Sequence, residues 1–402
     1  MTYARTLLPK FYPDVINWLK LNGQSKSDTL TDRTGTYNTG YDKFDLFDLN
    51  PQNIVSFNSA ESAVHVMIQI DLGAYANDID YAALLNHNLD TSEYTIRIAH
   101  SSTTITGVGL GITVGTPMVI LNGEAQPSPG ATVNEAMTDI ETGMDVSDGT
   151  KFTAQELIKV LGDNGNEVMK VTGIATNTLT VIRAQQGTTA TTFAIGDQIE
   201  RYNCVTPTAD GDTIFSFTSS SDRYWAIELI PSDGLSSLTD LTMGSLSLGE
   251  MFSLPHSPDM NVVHNFNMSG VNISTGLSGK RHSSPNWIKA NNTAVGAGNY
   301  IPFRGSIGAT QLPGREGYSL SYSALADTEL LPSDLGAPSG NNVAVNVLAK
   351  TGWNALPFIM SVDSESTTAG DYIFCRMREN TYSITQTSAK AYSTAFGVEQ
   401  EF

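Results

Sequence analysis

The stretch "AVHVMIQIDLG", residues 63–73, decides the class of fold. Val64, Val66, Ile68 and Ile70 alternate with His65, Met67, Gln69 and Asp71. A period of two predicts a β-strand with an apolar face and a polar face. Upstream, "NIVSFNS" reads the same way. Downstream, "YTIRIAHS" places Tyr94, Ile96 and Ile98 on one face, and "TIFSFTS", "RYWAIELIP" and "LTMGSLSLGEMFSLP" continue the series. Short strands separated by turn signals predict a β-sandwich of jelly-roll type.

A second block interrupts that series. Between residues 116 and 203, "FTAQELIKVLG", "NEVMKVTGI", "TLTVIRA" and "DQIERY" read as strands. They are separated by corners at Gly162–Gly165, Thr176-Asn177 and Gly187-Thr188, residue types that tolerate positive φ or cap a turn with a side chain. This predicts a small β-domain inserted into a loop of the sandwich, a low-cost place because closure entropy grows only logarithmically with loop length.

The expected division is therefore an irregular segment over 1–50, a jelly roll over 51–115 and 204–258, the insert over 116–203, and a C-terminal β-rich assembly domain over 259–402. Within the first segment "DVINWLKLNG" predicts a short helix capped by Asp14 and stopped by Gly23. In the last, "NFNMSGVNISTGLSGKRHSS" predicts a hairpin and "GYSLSYSALADTELLPSDLGAP" a strand followed by a helical turn. "NVAVNVLAKTGWNALPFIMSVDSE" and "DYIFCRMREN" predict strands, and "TYSITQTSAKAYSTAFGVEQEF" a closing strand.

The 402 residues carry 41 acidic and 22 basic side chains, a formal charge of −19. That balance disfavours nucleic acid and anionic membranes as partners. No apolar run reaches the length of a membrane span. The opening "MTYARTLLPKFYP" lacks a signal-peptide core, so assembly in a cytoplasm is expected. Cys204 and Cys375 are expected to be buried free thiols.

The search for chemistry returns little. Nucleotide-binding, zinc-protease, dithiol and nucleophile-elbow patterns are missing from the sequence. "GVGLGITVG", residues 107–115, is Gly-rich but has no βαβ context and reads as a loop. His65, His87 and His100 lack a metal-ligand spacing, and "LLNHNLD" around His87 reads as a turn tied down by its own polar groups. Asp45, Asp48, Asp71, Asp78 and Asp80 near loops raise a structural cation as a minor reading. Trp225 is in phase with Ile227 and Leu229 and is expected in the core, whereas Trp18, Trp287 and Trp353 fit an interface better. No enzyme, cofactor or metal is expected.

Two stretches carry a resemblance. "IQIDLGAYANDIDYAALLNHNLDTSEYTIRIAHSS" resembles the galactose-binding-like, discoidin-type jelly rolls of bacteriophage tail proteins, through Asp71-Leu72-Gly73, His87-Asn88-Leu89 and Ser101-Ser102. "LTVIRAQQGTTATTFAIGDQI" resembles a cassette of phage fibre and baseplate proteins: a strand with Arg183, a Gly-Thr turn, then a Gly-Asp-x-Ile strand. The C-terminal region is loosely similar to belt domains of distal tail proteins. The resemblance implies a virion structural protein of the tail or baseplate that forms a ring and docks to other tail proteins. Its alternative is an adhesion protein that binds a host-surface glycan; a polysaccharide-degrading enzyme ranks third. The sugar-contacting residues of carbohydrate-binding relatives have no match in this sequence.

The stretch from Asp259 to Gly317 holds too few apolar residues for a core of its own. It is expected either to order against a neighbouring subunit or to be a long exposed loop. In the first case Trp287, Tyr300 and Phe303 would be anchors, and Lys280, Arg281 and Arg304 would meet the acidic surface of the next copy.

Overall fold

The computed structural model describes residues 7–25, 29–34, 37–58, 66–75, 78–92, 94–105, 118–122, 130–152, 157–185, 188–202, 207, 209–231, 240–260, 262–267, 271–285, 300–303, 305–306, 315–334, 340–363, 365, 368–379 and 381–401. The protein is mainly β, and its contacts divide it into two units. One comprises Gln24–Leu46 and Val55–Met243; the other comprises Met1–Gly23, Phe47–Ile54 and Gly244–Phe402.

The central unit contains an antiparallel sheet in the order Leu30–Thr34, Val66–Asp71, Tyr224–Pro231, Tyr94–Ser101. Ile227 lies opposite Ile68 on one side and Ile98 on the other, so the alternation read from sequence sets the register. Ile79–His87, Gly211–Ser220 and Val119–Ile120 form a second antiparallel group. Trp225 of the first sheet meets Phe217 of the second at 5.5 Å between ring centroids, is fully buried, and donates its indole N–H to the Asp222 carbonyl at 2.8 Å. The expected core role of this tryptophan is what the structure shows.

The polar face expected on the first sheet is buried too. Met67, Ala99, Ile105 and Ala226 cluster on that side. Gln69 lies among them, its side-chain oxygen accepting the Ile105 N–H at 3.0 Å. Glu228 is fully buried opposite Arg97 and accepts its guanidinium. Folding the chain after Ser101 back over the sheet buries both faces, which strict alternation does not foretell.

The insert has its own sheet, ordered Gln198–Arg201, Leu157–Gly162, Gly165–Ala175, Thr178–Gln185, Gly143–Asp145. Among the described residues its core, including Phe152, Met169, Leu179, Phe193 and Ile199, comes from residues 131–199. Gly165 takes φ +122°, as a glycine corner suggests, whereas Thr176 takes φ +56°, which a β-branched residue rarely adopts. The expected boundary at residue 116 lies too early, because Val119–Ile120 pairs with Gly211–Ser220 and Asn122 bonds the backbone of Asp212 and Ile214. Residues 118–122 therefore belong to the sandwich.

The terminal unit is organised by one large antiparallel sheet, ordered Phe252–Ser253, Lys10–Tyr12, Phe358–Ser361, Tyr372–Met377, Ala391–Gln400, Arg315–Leu325, Val263–Asn267, with Ser383–Ser388 also paired to Ala391–Gln400. This corrects three expectations. The first 50 residues are not a separate irregular segment: Lys10–Tyr12 is an interior strand, and Phe11 lies against Phe252, Phe358 and Phe396. The second unit begins at Gly244 rather than 259, since Phe252–Ser253 pairs with Lys10–Tyr12. The last segment provides an interior strand, not a closing one.

The helix Val15–Leu21 forms as its sequence indicates, with Asp14 accepting the Asn17 N–H at 2.8 Å. "NVAVNV" does not form the expected strand. Asn342 accepts the Val345 N–H with its side chain, and Ala344–Ala349 winds into a π-helical turn that buries Val347 and Leu348. The cap outweighs the period-two pattern there. Cys375 is buried and unpaired, and burial pushes its thiol pKa up. Cys204 lies outside the described residues.

Candidate functional site

Four of the six expected interface residues, Lys280, Arg281, Tyr300 and Phe303, lie among the described residues. Tyr300 and Phe303 are buried, with exposures of 8% and 6%. Tyr300–Ile301 pairs with Gly305–Ser306, the Tyr300 carbonyl accepts from Gln52, and the Phe303 ring lies 5.4 Å from that of Tyr372. Both side chains pack within the terminal unit. Lys280 and Arg281 are exposed at the end of a hairpin formed by Val271–Thr275 and Arg281–Pro285. Trp287 and Arg304 lie outside the described residues. Of the other tryptophans assigned to an interface, Trp18 is half-buried and Trp353 is 44% exposed, the latter at φ +66°.

Several of the remaining candidates are held by local contacts. His87 shares a hydrogen bond of 2.8 Å between its Nε2 and the Thr213 hydroxyl, and its Nδ1 accepts the Leu89 N–H. With Nδ1 accepting, Nε2 carries the proton and the ring is neutral. Burial lowers its pKa to about 4, against a smaller opposing pull from Asp210. Asn88 donates to the Asp240 carbonyl and accepts from the Thr242 N–H. Leu84–His87 is the end of a strand, and His87 and Asn88 tie down the turn that follows it. His100 bonds Asp222 at 2.6 Å and lies against Trp225; His65 is outside the described residues. Asp71 forms a fork-to-fork pair with Arg223 and caps Gly73, and Asp48 accepts from the Asn50 N–H and the Asn53 side chain. Among the described residues no group of three or more His, Cys, Asp or Glu side chains is placed to hold a metal.

One open cavity of about 380 Å³ lies in the terminal unit, lined by Lys20, Leu21, Asp48, Leu49, Arg376 and Glu401 among others. Two carboxylates border it, and both are engaged. Arg376 grips Glu401 through Nε and a terminal nitrogen at 2.7 and 2.6 Å, and donates to the carbonyls of Asn354 and Ala355. Asp48 holds its own turn.

Sequence reasoning overlooked the pair inside the cassette. Glu167 is fully buried and accepts four hydrogen bonds: two from Arg183 at 2.8 and 2.6 Å, one from the Ala184 N–H and one from the Thr191 N–H. Arg183 donates further to the carbonyls of Thr138, Glu141 and Thr191. Burial alone would raise the Glu167 pKa, but the Arg183 and amide hydrogen bonds together lower it. The Arg of "LTVIRA" therefore fastens the segment after "QQG" to two other strands and a turn. Arg183, the lone charge in an otherwise uncharged strand, was the available signal.

Compared with protein-family profiles and with characterised proteins, the chain finds no match. No helix among the described residues is long and apolar enough to cross a membrane.

Proposed function

We propose that this chain is a structural component of a bacteriophage virion, of the tail or its baseplate, acting through ring-like self-association and docking to other tail proteins rather than through hydrolysis. The observation that carries the reading is the Glu167–Arg183 clamp. Described residues that carry the phage-cassette resemblance help build the insert. Arg183 organises it, Thr191 and Ala184 are bonded by the clamp, Asp197 accepts the Ala194 N–H, and Ile199 is core. A resemblance confined to exposed, interchangeable positions would weigh much less.

An insert with its own core suits a particle protein, which needs projecting surface held by a parent fold. Labelling purified particles with a gold-conjugated antibody against this chain tests the proposal. Label on tails or baseplates supports it; unlabelled particles contradict it.

The second reading, an adhesion protein that binds a host-surface glycan, is favoured by Trp353. An aromatic ring this exposed, on backbone that a bulky side chain rarely adopts, suits a sugar platform. Glycan binding that is lost in Trp353→Ala would move the proposal to that reading.

A further inference from the structure

Charge is segregated along this chain. Between Met260 and Arg315 there are five basic side chains, Lys280, Arg281, Lys289, Arg304 and Arg315, and no Asp or Glu. The rest of the chain holds 17 basic against 41 acidic side chains.

The structure places two elements in that basic stretch. The first is Val263–Asn267, the last strand of the large sheet, paired on one side only among the described residues. All five of its residues are exposed, with Val263 at 49% and Phe266 at 58%. An open edge offers unpaired N–H and C=O groups, and this one has neither the Lys nor the Pro that usually guards such an edge. The second element is the hairpin Val271–Thr275 with Arg281–Pro285, which hydrogen-bonds to no third strand among the described residues. Its turn is closed by Gly276 N–H to the Lys280 carbonyl and by Gly279 at φ +77°. Leu277 at the tip is fully exposed, and Lys280, Arg281 and His282 beside it are exposed as well. A two-stranded ribbon is marginal in water without something to pack on. An apolar tip flanked by cations suits an apolar recess rimmed by carboxylates.

We propose that the edge strand 263–267 and the hairpin 271–285 form a docking arm whose partner is a second copy of this chain. Lys280 and Arg281 meet the acidic surface of that copy, and Leu277 buries against it. The inference rests on the self-association reading above and names the element that carries it. Because a basic arm meets a different, acidic face, the contact is head-to-tail, the geometry that closes into rings. Nucleic acid is the poorer partner: two exposed cations at a tip face the repulsion of a chain with net charge −19.

Sedimentation velocity and light scattering of the full-length protein test this, comparing wild type with K280E/R281E, L277D and, as a control, K390E at an exposed lysine outside the basic stretch. The wild type should self-associate in 0.1 M NaCl. Its dissociation constant should rise at least tenfold in K280E/R281E, in L277D and, for the wild type, in 0.5 M NaCl, where exposed charges are screened within about 5 Å. K390E should match the wild type, and all variants should keep its thermal unfolding curve. A monomeric wild type overturns the proposal. So does an oligomer undiminished in both arm variants, which would leave the virion reading standing. Binding of a 30-base-pair DNA duplex that K280E/R281E abolishes would assign the arm to nucleic acid instead. Absence of the chain from particles, with the arm phenotype intact, would remove the virion reading and leave the arm.

Discussion

Replacing Glu167 by Ala tests the clamp directly. The substitution removes the acceptor of four hydrogen bonds and leaves Arg183, with 9% side-chain exposure, facing an empty site. Removing one partner of a buried ion pair costs about 3–5 kcal/mol, because the other charge stays desolvated. Arg183 keeps three carbonyl acceptors, which places the loss near the lower end, at about 3 kcal/mol. For a unit the size of the insert that is a fall of about 12–24 °C in Tm. Calorimetry of the full-length protein should show the transition of the insert moving by that amount. Hydrogen exchange should show the Ala184 and Thr191 amides losing protection before the rest of the sheet. The pH dependence has a definite sign. The folded Glu167 pKa lies below its ordinary value of 4.5, so the clamp contributes fully above that value and its contribution is lost as pH falls through the folded pKa. The Glu167→Ala penalty should therefore shrink as pH falls below 4.5. A Tm change of less than about 3 °C at pH 7, or unchanged exchange at both amides, would refute the reasoning.

Three further outcomes follow from the same packing. His87 is neutral in the fold with its pKa near 4, so its burial stabilises above the ordinary 6.5 and that contribution, about 3 kcal/mol, is lost as pH falls from 6.5 to 4; His87→Gln should flatten this limb in urea titrations, and an unaltered limb would contradict the assignment. Trp225→Ala should cost about 3–5 kcal/mol in the same assay, and a loss below about 1 kcal/mol would mean that its pocket is not core. Replacing residues 130–202 by a short Gly/Ser linker should leave a cooperatively unfolding protein, since the insert draws its core from 131–199; aggregation would show that the core is shared.

Much of the sandwich could be read from alternation, because a period of two fixes which side chains share a face. Ile68, Ile98 and Ile227 show it: their phase in sequence is their register in the sheet. What alternation cannot supply is what covers the second face, so Gln69 and Glu228 read as solvent-facing and are buried. Lys10–Tyr12 escaped because three residues carry no pattern, and its partners lie about 240 and 350 residues away. Asn342 turned "NVAVNV" into a helical turn through a single cap. At the candidate surface, Lys280 and Arg281 could be placed by their charge in a polar stretch. Tyr300 and Phe303 could not, because an aromatic in a Gly/Ser-rich segment fits an anchor and a core plug equally well until its neighbours are known.

The central claim is self-association into a closed assembly, and electron microscopy of the purified full-length protein in 0.1 M NaCl addresses it most directly. Two-dimensional class averages should show rings of uniform subunit number, which disperse in K280E/R281E. A field of single, well-folded monomers at micromolar concentration would contradict the account.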